Sequence, residues 1–225
     1  MNIGVILASG KGERINNSDI KKCFIEVCDK PLFSYSLKTF ADNQNIDLVY
    51  LVIPNDYSDK IDKKYLSNKV KLVDGGLTRQ ESVYNALKKI KEDFIDENPY
   101  ILIHDGARAL IDEDIINEHI KLKDRFDANF TALMCVDSLV KINNNLYNGN
   151  VDRNKIYTEQ TPTSSYLNNF IYAFNNTKID NSTDDVTILK EAGFNINLIL
   201  GNRNNFKVTY KEDLLFLEYL IRNKK

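Results

Sequence analysis

The chain predicts an α/β fold built on a largely parallel sheet, and two features of the sequence carry that prediction. Apolar runs of strand length alternate with segments of helical period, the pattern of strands joined by helical crossovers. The strand runs are also continuously apolar, as strands covered on both faces must be. With 225 residues and a hydrophobic fraction of 43%, the chain can fill one sizeable core, which excludes a disordered tail protein.

Taken in order, the apolar run over residues 3–8 predicts the first strand, followed by a helix over 32–41 with apolar residues three and four apart. Strands are expected over 48–53 and 70–73, then a helix over 82–90 with the same spacing. A strand over 100–104 precedes a helix over 111–126, where the period is looser, and strands follow over 131–136 and 196–200. The run over 213–221 reads as a closing helix. Between 138 and 160 the period breaks. There Leu139-Val140-Lys141-Ile142 and Lys155-Ile156-Tyr157 flank a polar turn, Asn143-Asn144-Asn145, and Gly149. Two short strands around a polar tip predict an arm, which offers little apolar surface of its own and therefore calls for a partner subunit. With no repeat and no Pro-, Gly- or Ser-rich linker, residues 1–225 read as one domain with an arm over about 138–160.

The formal charge is −2, from 30 Lys+Arg against 32 Asp+Glu, so no global positive field exists to hold nucleic acid or an anionic membrane. Any phosphate site is local. Cys23, Cys28 and Cys135 form no zinc-type grouping and cannot all pair within one chain, which suits a reducing compartment. The apolar N-terminal run reaches Ser9-Gly10 too soon for a signal peptide, and no stretch approaches the ~20 apolar residues of a membrane span. A cytoplasmic protein is expected, with neither nucleic acid nor membrane as partner.

Ala8-Ser9-Gly10-Lys11-Gly12-Glu13-Arg14 directly follows the first strand. Small residues let backbone N–H groups approach an anion there, and Lys11 and Arg14 supply charge for phosphate oxygens. The run matches neither the Walker spacing nor the full dinucleotide fingerprint, since Ile15 stands where a third glycine belongs. Lys21 and Lys22 could fold over whatever that loop holds, because ligands bind at the carboxyl edge of open sheets. In the run from Gly75-Gly76 to Ser82, Thr78 and Glu81 have the spacing of a capping box, and Arg79 and Ser82 sit where a base or phosphate could be read. Each of these loops also reads, alone, as an ordinary strand-to-helix turn. Asp105, in His104-Asp105-Gly106-Ala107-Arg108, ends a buried strand, where a carboxylate suits a divalent metal or a substrate hydroxyl. His104 and His119 read as structural. No motif supports Ser-His-Asp hydrolysis, and zinc-ligand spacing is absent.

Together and in this order, residues 8–14, Lys22, Gly75-Gly76 with Arg79 and Ser82, and His104-Asp105 with Arg108 resemble the cytidylyltransferases that act on polyol phosphates. Asp137-Ser138, Val151-Asp152-Arg153, Gln160-Thr161-Pro162, Thr183-Asp184-Asp185 and residues 205–209 extend the resemblance almost to the C-terminus. That family comprises 2-C-methyl-D-erythritol 4-phosphate cytidylyltransferase, of isoprenoid biosynthesis, and ribitol-5-phosphate cytidylyltransferase. The resemblance implies a Rossmann-like nucleotidyltransferase fold, CTP as donor with Mg2+, a polyol phosphate as acceptor, and a homodimer in which one subunit's arm reaches the other's site.

The resemblance also implies residue roles. Ala8, Ser9, Gly10, Lys11 and Gly12 would wrap the triphosphate, and Arg14 and Lys22 would stabilise charge on the α-phosphate and the leaving pyrophosphate. Gly75, Gly76, Arg79 and Ser82 would hold the nucleoside, and Asp105 would contact ribose, metal or acceptor. Ser138, Arg153 of the neighbouring arm, Thr161 and Lys207 would position the acceptor. Departures from the family pattern fall at Lys21-Lys22-Cys23, at Gly106 and Ala109, and at Thr163. Methylerythritol phosphate is the first reading of the acceptor and ribitol 5-phosphate the second. A nucleotide-binding module without catalysis and a Rossmann-type dehydrogenase are the alternatives from other classes.

Overall fold

Burial of both faces of a central sheet organises the chain. The computed structural model describes residues 1–10, 12, 20–177 and 184–223. In chain order the elements are β1 (Asn2–Leu7), β2 (Glu26–Val27), β3 (Lys30–Pro31), α1 (Phe33–Asp42), β4 (Leu48–Ile53), β5 (Val70–Asp74), α2 (Arg79–Asp93) and β6 (Tyr100–Asp105). There follow α3 (Glu113–Lys121), β7 (Ala128–Met134), β8 (Val140–Asn143), β9 (Leu146–Asn150), β10 (Tyr157–Tyr166), α4 (Leu167–Asn176), α5 (Asp185–Glu191), β11 (Ile196–Leu200) and α6 (Lys211–Asn223). Seven strands form one sheet in the order β11-β7-β10-β6-β1-β4-β5. All neighbours are parallel except β10, which runs antiparallel to both β6 and β7.

Alternate residues of the central strands feed two cores, which is why these strands are apolar throughout. Ile6, Leu51 and Leu102 pack on one side with Phe33 and Phe40 of α1, Ile116 of α3 and Leu217 of α6. Val5, Val52 and Ile101 pack on the other with Leu87 of α2, Phe170 of α4 and Ile188 of α5. The expected capping box forms: Thr78 Oγ1 accepts from Glu81 N at 3.1 Å, and Glu81 Oε2 accepts from Thr78 N at 3.4 Å. It starts α2 at Arg79, directly beside the loop that carries Gly75 and Gly76.

The structure differs from the sequence expectation in four places. The helix expected over 111–126 is confined to α3, capped by Asp112 and followed by residues 122–127, where Leu122 still packs on the core but Phe126 is exposed among charged neighbours. The strand expected over 131–136 begins earlier, because Ala128 and Asn129 pair with both β10 and β11. The arm is the hairpin β8-β9, which pairs with no strand of the main sheet, and its return strand is β9 rather than residues 155–157. Asn144 and Asn145 both take positive φ, 47° and 62°, which closes a two-residue turn four residues ahead of Gly149. Residues from Tyr157 onward rejoin the main sheet as β10, a strand hidden by its polar sequence.

Much of the polarity of β10 is met by a buried network, although Thr163 Oγ1 is buried without a hydrogen-bond partner. Thr131 Oγ1 donates to Pro162 O at 2.9 Å, so His119 Nε2–H must donate to Thr131 Oγ1 at 2.8 Å. His119 Nδ1 then accepts from Ser164 Oγ at 2.5 Å, and Ser164 accepts from Tyr100, whose hydroxyl accepts from Asn129 Nδ2. His119 thus joins α3 to β7 and β10. His119→Ala is expected to cost about 3 kcal/mol, from lost packing and two hydroxyls left short of a partner, measured as a fall in the urea midpoint.

Burial pushes the His119 pKa down to about 3 and that of His104 to about 4, from 6.5. Below pH 6.5 the unfolded chain takes protons that the folded chain refuses, so stability falls as pH drops from there toward 4. The urea midpoint is expected to follow that slope, less steeply in His119→Ala.

Candidate active site

At the carboxyl edge of β1, β5 and β6 lies a cavity of about 630 Å³. Ser9, Gly10, Lys22, Gly75, Gly76, Arg79, Ser82, Asp105 and Lys207 all line it. The structure therefore brings together residues from five separate stretches of chain. Leu77 lies on its rim, 88% exposed. Ala8 lies just behind, fully buried, with its N–H donating to Val52 O at 2.8 Å. Lys11 and Arg14 lie outside the described residues.

Close backbone approach joins the first two loops. A Cβ on Gly75 would fall 2.4 Å from Ser9 Cβ, so any side chain there would force the loops apart. Ser82 ties the same junction: its hydroxyl donates to Thr78 O at 2.9 Å, accepts from Gly76 N at 3.0 Å, and lies 2.9 Å from Ser9 Oγ. Ser82 is therefore engaged in shaping the loop. Gly12 takes φ +74° and packs so closely that a Cβ would lie 2.3 Å from Lys22 Cβ. Lys22 Nζ in turn donates to Val208 O at 3.1 Å, tying the first loop to the segment that bears Lys207. Beneath it, burial pushes the Cys23 thiol up to about 11, which makes it a packed thiol rather than a nucleophile.

Asp105 is the electrostatic centre. Its Oδ2 lies 2.8 Å from Lys207 Nζ and 3.8 Å from Arg108 Nε, and its Oδ1 accepts from Arg79 Nε at 3.3 Å. Burial opposes its charge, but Arg79, Lys207 and Arg108 outweigh that cost and hold the carboxyl well below the usual carboxylate range. Arg79 is fixed by a bidentate pair with the fully buried Asp185, at 2.8 and 2.7 Å. Its guanidinium is thereby committed to carboxylates. Burial opposes the Arg79 charge as well, but Asp185 and Asp105 raise its pKa and keep it cationic.

A third layer stands behind this one. Arg108 donates to Asn205 O at 3.0 Å and Glu159 O at 3.1 Å. Thr161 is 5% exposed and lies behind the wall, its Oγ1 accepting from Asp105 N at 3.1 Å and lying 2.9 Å from His104 Nδ1. Burial, followed by the charges of Asp184 and Asp185, pushes the Glu159 carboxyl up to about 7.

Residues 3–223 match the sequence profile of IspD, 2-C-methyl-D-erythritol 4-phosphate cytidylyltransferase. The chain belongs to this family. A 2-C-methyl-D-erythritol 4-phosphate cytidylyltransferase from Clostridium tetani is 36% identical over 98% of this chain and 90% of its own length. A ribitol-5-phosphate cytidylyltransferase from Vibrio parahaemolyticus is 34% identical, covering 98% and 96%. The same fold is seen in a 4-diphosphocytidyl-2C-methyl-D-erythritol synthase from Anaerococcus prevotii, with a TM-score of 0.84, 23% identity and coverage of 98% and 96%.

The IspD family's fold thus frames the rest of the site. Ser138 and Arg153 are exposed and do not line the cavity; Arg153 donates to Val136 O at 2.9 Å within the arm. Two partners are not evident from local sequence, Asp185 for Arg79 and Asn205 for Arg108. Both were visible as polar residues beside helix or turn starts, yet only folding reveals what they meet. Among the described residues no three His, Cys, Asp or Glu side chains group as a metal site, and no helix is long and apolar enough to cross a membrane.

Proposed function

We propose that this member of the IspD family transfers CMP from CTP to 2-C-methyl-D-erythritol 4-phosphate and releases pyrophosphate. The observation that carries the reading is the convergence of Lys22, Arg79, Asp105 and Lys207 on one cavity in a chain matched by the family over residues 3–223. An acceptor phosphate oxygen attacks the α-phosphorus of CTP; a P–O bond forms there and the α–β P–O bond breaks, with the electron pair leaving on pyrophosphate. That oxygen is already anionic near neutral pH, so no general base is required. The protein must hold two polyanions in line and offset their repulsion.

In this reading the N–H groups at Ser9 and Gly10, with Lys11 and Gly12, cradle the triphosphate, while Lys22 and Arg14 take the charge on the α-phosphate and pyrophosphate. Gly75, Gly76 and Ser82 shape the base pocket. Asp105 orients Lys207 toward the acceptor phosphate, and Thr161 supports Asp105 from behind. Ser138 and Arg153 come from the arm of a second copy in a homodimer, a role supported by the exposed Val140, Ile142, Leu146 and Tyr147 on that hairpin.

Mg2+ fits poorly as a protein-held ion, since both Asp105 oxygens already face cations. Any Mg2+ would be held mainly by the triphosphate oxygens and would share the neutralisation with Lys22, Arg14 and Lys207. Three free cysteines suit a cytoplasmic setting.

Ribitol 5-phosphate is the second acceptor reading, favoured by the 34% identity to the Vibrio enzyme. Pyrophosphate release with CTP, ATP, GTP and UTP against both acceptors tests the proposal. Turnover is expected with CTP and methylerythritol phosphate. Turnover with ribitol 5-phosphate alone would transfer the assignment to that acceptor, and none with either would overturn the transferase reading.

A further inference from the structure

His104 does not line the cavity, yet it precedes Asp105, which does, and bonds Arg108 and Thr161, which stand behind it. Its ring is fully buried and lies against Phe40 of α1, with centroids 5.4 Å apart. Nε2 is 3.1 Å from Arg108 O, and Nδ1 is 2.9 Å from Thr161 Oγ1. A carbonyl oxygen only accepts, so Nε2 carries the hydrogen. In the uncharged ring Nδ1 then holds a lone pair, and the Thr161 hydroxyl must donate into it. That leaves the Thr161 oxygen to accept from Asp105 N at 3.1 Å, while Arg108 N donates to Asp105 O at 2.9 Å and closes the turn.

Resting on the transferase reading above, we propose that His104 is a positioning residue whose Nε2–H tautomer locks Asp105, Arg108 and Thr161 into one rigid unit. The lock fixes the end of β6 against β10, and with it the carboxylate that orients Lys207 and Arg79. It also holds the Arg108 backbone, so that Nε–H, which has no hydrogen-bond partner, faces Asp105 Oδ2 at 3.8 Å. The Thr161 hydroxyl proton is committed to the ring, so Thr161 acts through Asp105 rather than by donating to the acceptor.

The charged and titratable groups that face the ring are Asp105 and Arg108 of its own segment and, through space, His119 of α3; Thr161 of β10 and Phe40 of α1 are neutral. Burial outweighs the hydrogen bond to Arg108 O and the charge of Asp105, and lowers the pKa to about 4.

Two measurements test the lock. Long-range ¹⁵N NMR of the labelled protein should show both of the chain's two histidines as Nε2–H tautomers that do not titrate between about pH 5.5 and 8, with His119→Gln separating the signals. A Nδ1–H tautomer at His104, or a ring that titrates in that window, would overturn the proposal. In kinetics, His104→Gln keeps a donor to Arg108 O but loses Thr161, and Thr161→Val loses the same link from the other side. Each is expected to lower kcat about 10-fold or more with KM for CTP changed by less than about threefold, and the double variant should be no worse than the worse single.

His104→Asn, which can still accept from Thr161, should retain more kcat than His104→Gln. Additive losses, or wild-type kcat in the folded single variants, would overturn the lock. If the variants do not fold, the NMR result on the wild-type chain decides. If the wild-type chain turns over no acceptor, the transferase reading fails while the tautomer measurement still judges the lock.

Discussion

Lys207→Ala is expected to lower kcat for cytidylyl transfer about 10²-fold or more, with little loss of stability. Lys207 has the more exposed side chain of the pair it makes with Asp105, 37% against 10%, so its ammonium faces the cavity and can meet an incoming phosphate. After its removal Asp105 keeps Arg79 at 3.3 Å and Arg108 at 3.8 Å, so the buried carboxylate stays paired. Only about 1 kcal/mol of stability should be lost, as for a partly exposed ion pair. Lys22→Ala should cost a similar factor in kcat, since Lys22 lines the same cavity and bonds Val208 O, next to Lys207. Pyrophosphate-release kinetics beside a thermal melt checks both. Wild-type kcat in either folded variant would contradict the charge roles given to these lysines.

Asp105→Asn should be the more damaging change, because it acts on fold and site at once. It removes the one anion shared by Arg79, Arg108 and Lys207, and leaves two largely buried guanidiniums facing an uncharged amide. Breaking a buried pair from one side costs about 3–5 kcal/mol. Arg79 retains Asp185, which places the expected loss near the low end. Activity should fall at least as far as in Lys207→Ala, because Lys207 loses the group that orients it.

The pH dependence separates the two effects. The folded Asp105 carboxyl sits well below its ordinary 3.8, so it contributes stability that is present above that pH and is lost as pH falls below it. Urea midpoints at pH 7 should differ between wild type and Asp105→Asn, and the gap should narrow in acid. A gap that stays constant with pH would mean that the ion pairs contribute nothing to stability.

Much of the site was legible because its loops obey local rules. Gly75 must be glycine for Ser9 to approach, Thr78 and Glu81 cap the helix they precede, and Asp105 ends a strand whose apolar residues announce it. Asn144 and Asn145 announce the arm's tip, but the return strand lies closer to it than the sequence pattern suggests, since a two-residue turn closes the hairpin before Gly149. β10 escaped notice because its residues Gln160–Ser165 read as loop chemistry. A polar strand sits inside a sheet when most of its buried polar groups find partners, and those partners lie on other elements: His119 and Tyr100 for the Ser164 hydroxyl, Thr131 for the Pro162 carbonyl.

The sequence by itself determined the α/β class, the alternation of strands and helices, and the loops whose glycines and cations suit a phosphate-bearing ligand, because periodicity and turn chemistry act over a few neighbouring residues. Tertiary structure alone decided which charges meet. Arg79 reaches Asp185 across 106 positions of chain, and Thr161 reaches Asp105 across 56, because β10 inserts antiparallel beside β6. Coulombic and hydrogen-bond partners depend on distance in space, which strand order fixes and local pattern does not encode.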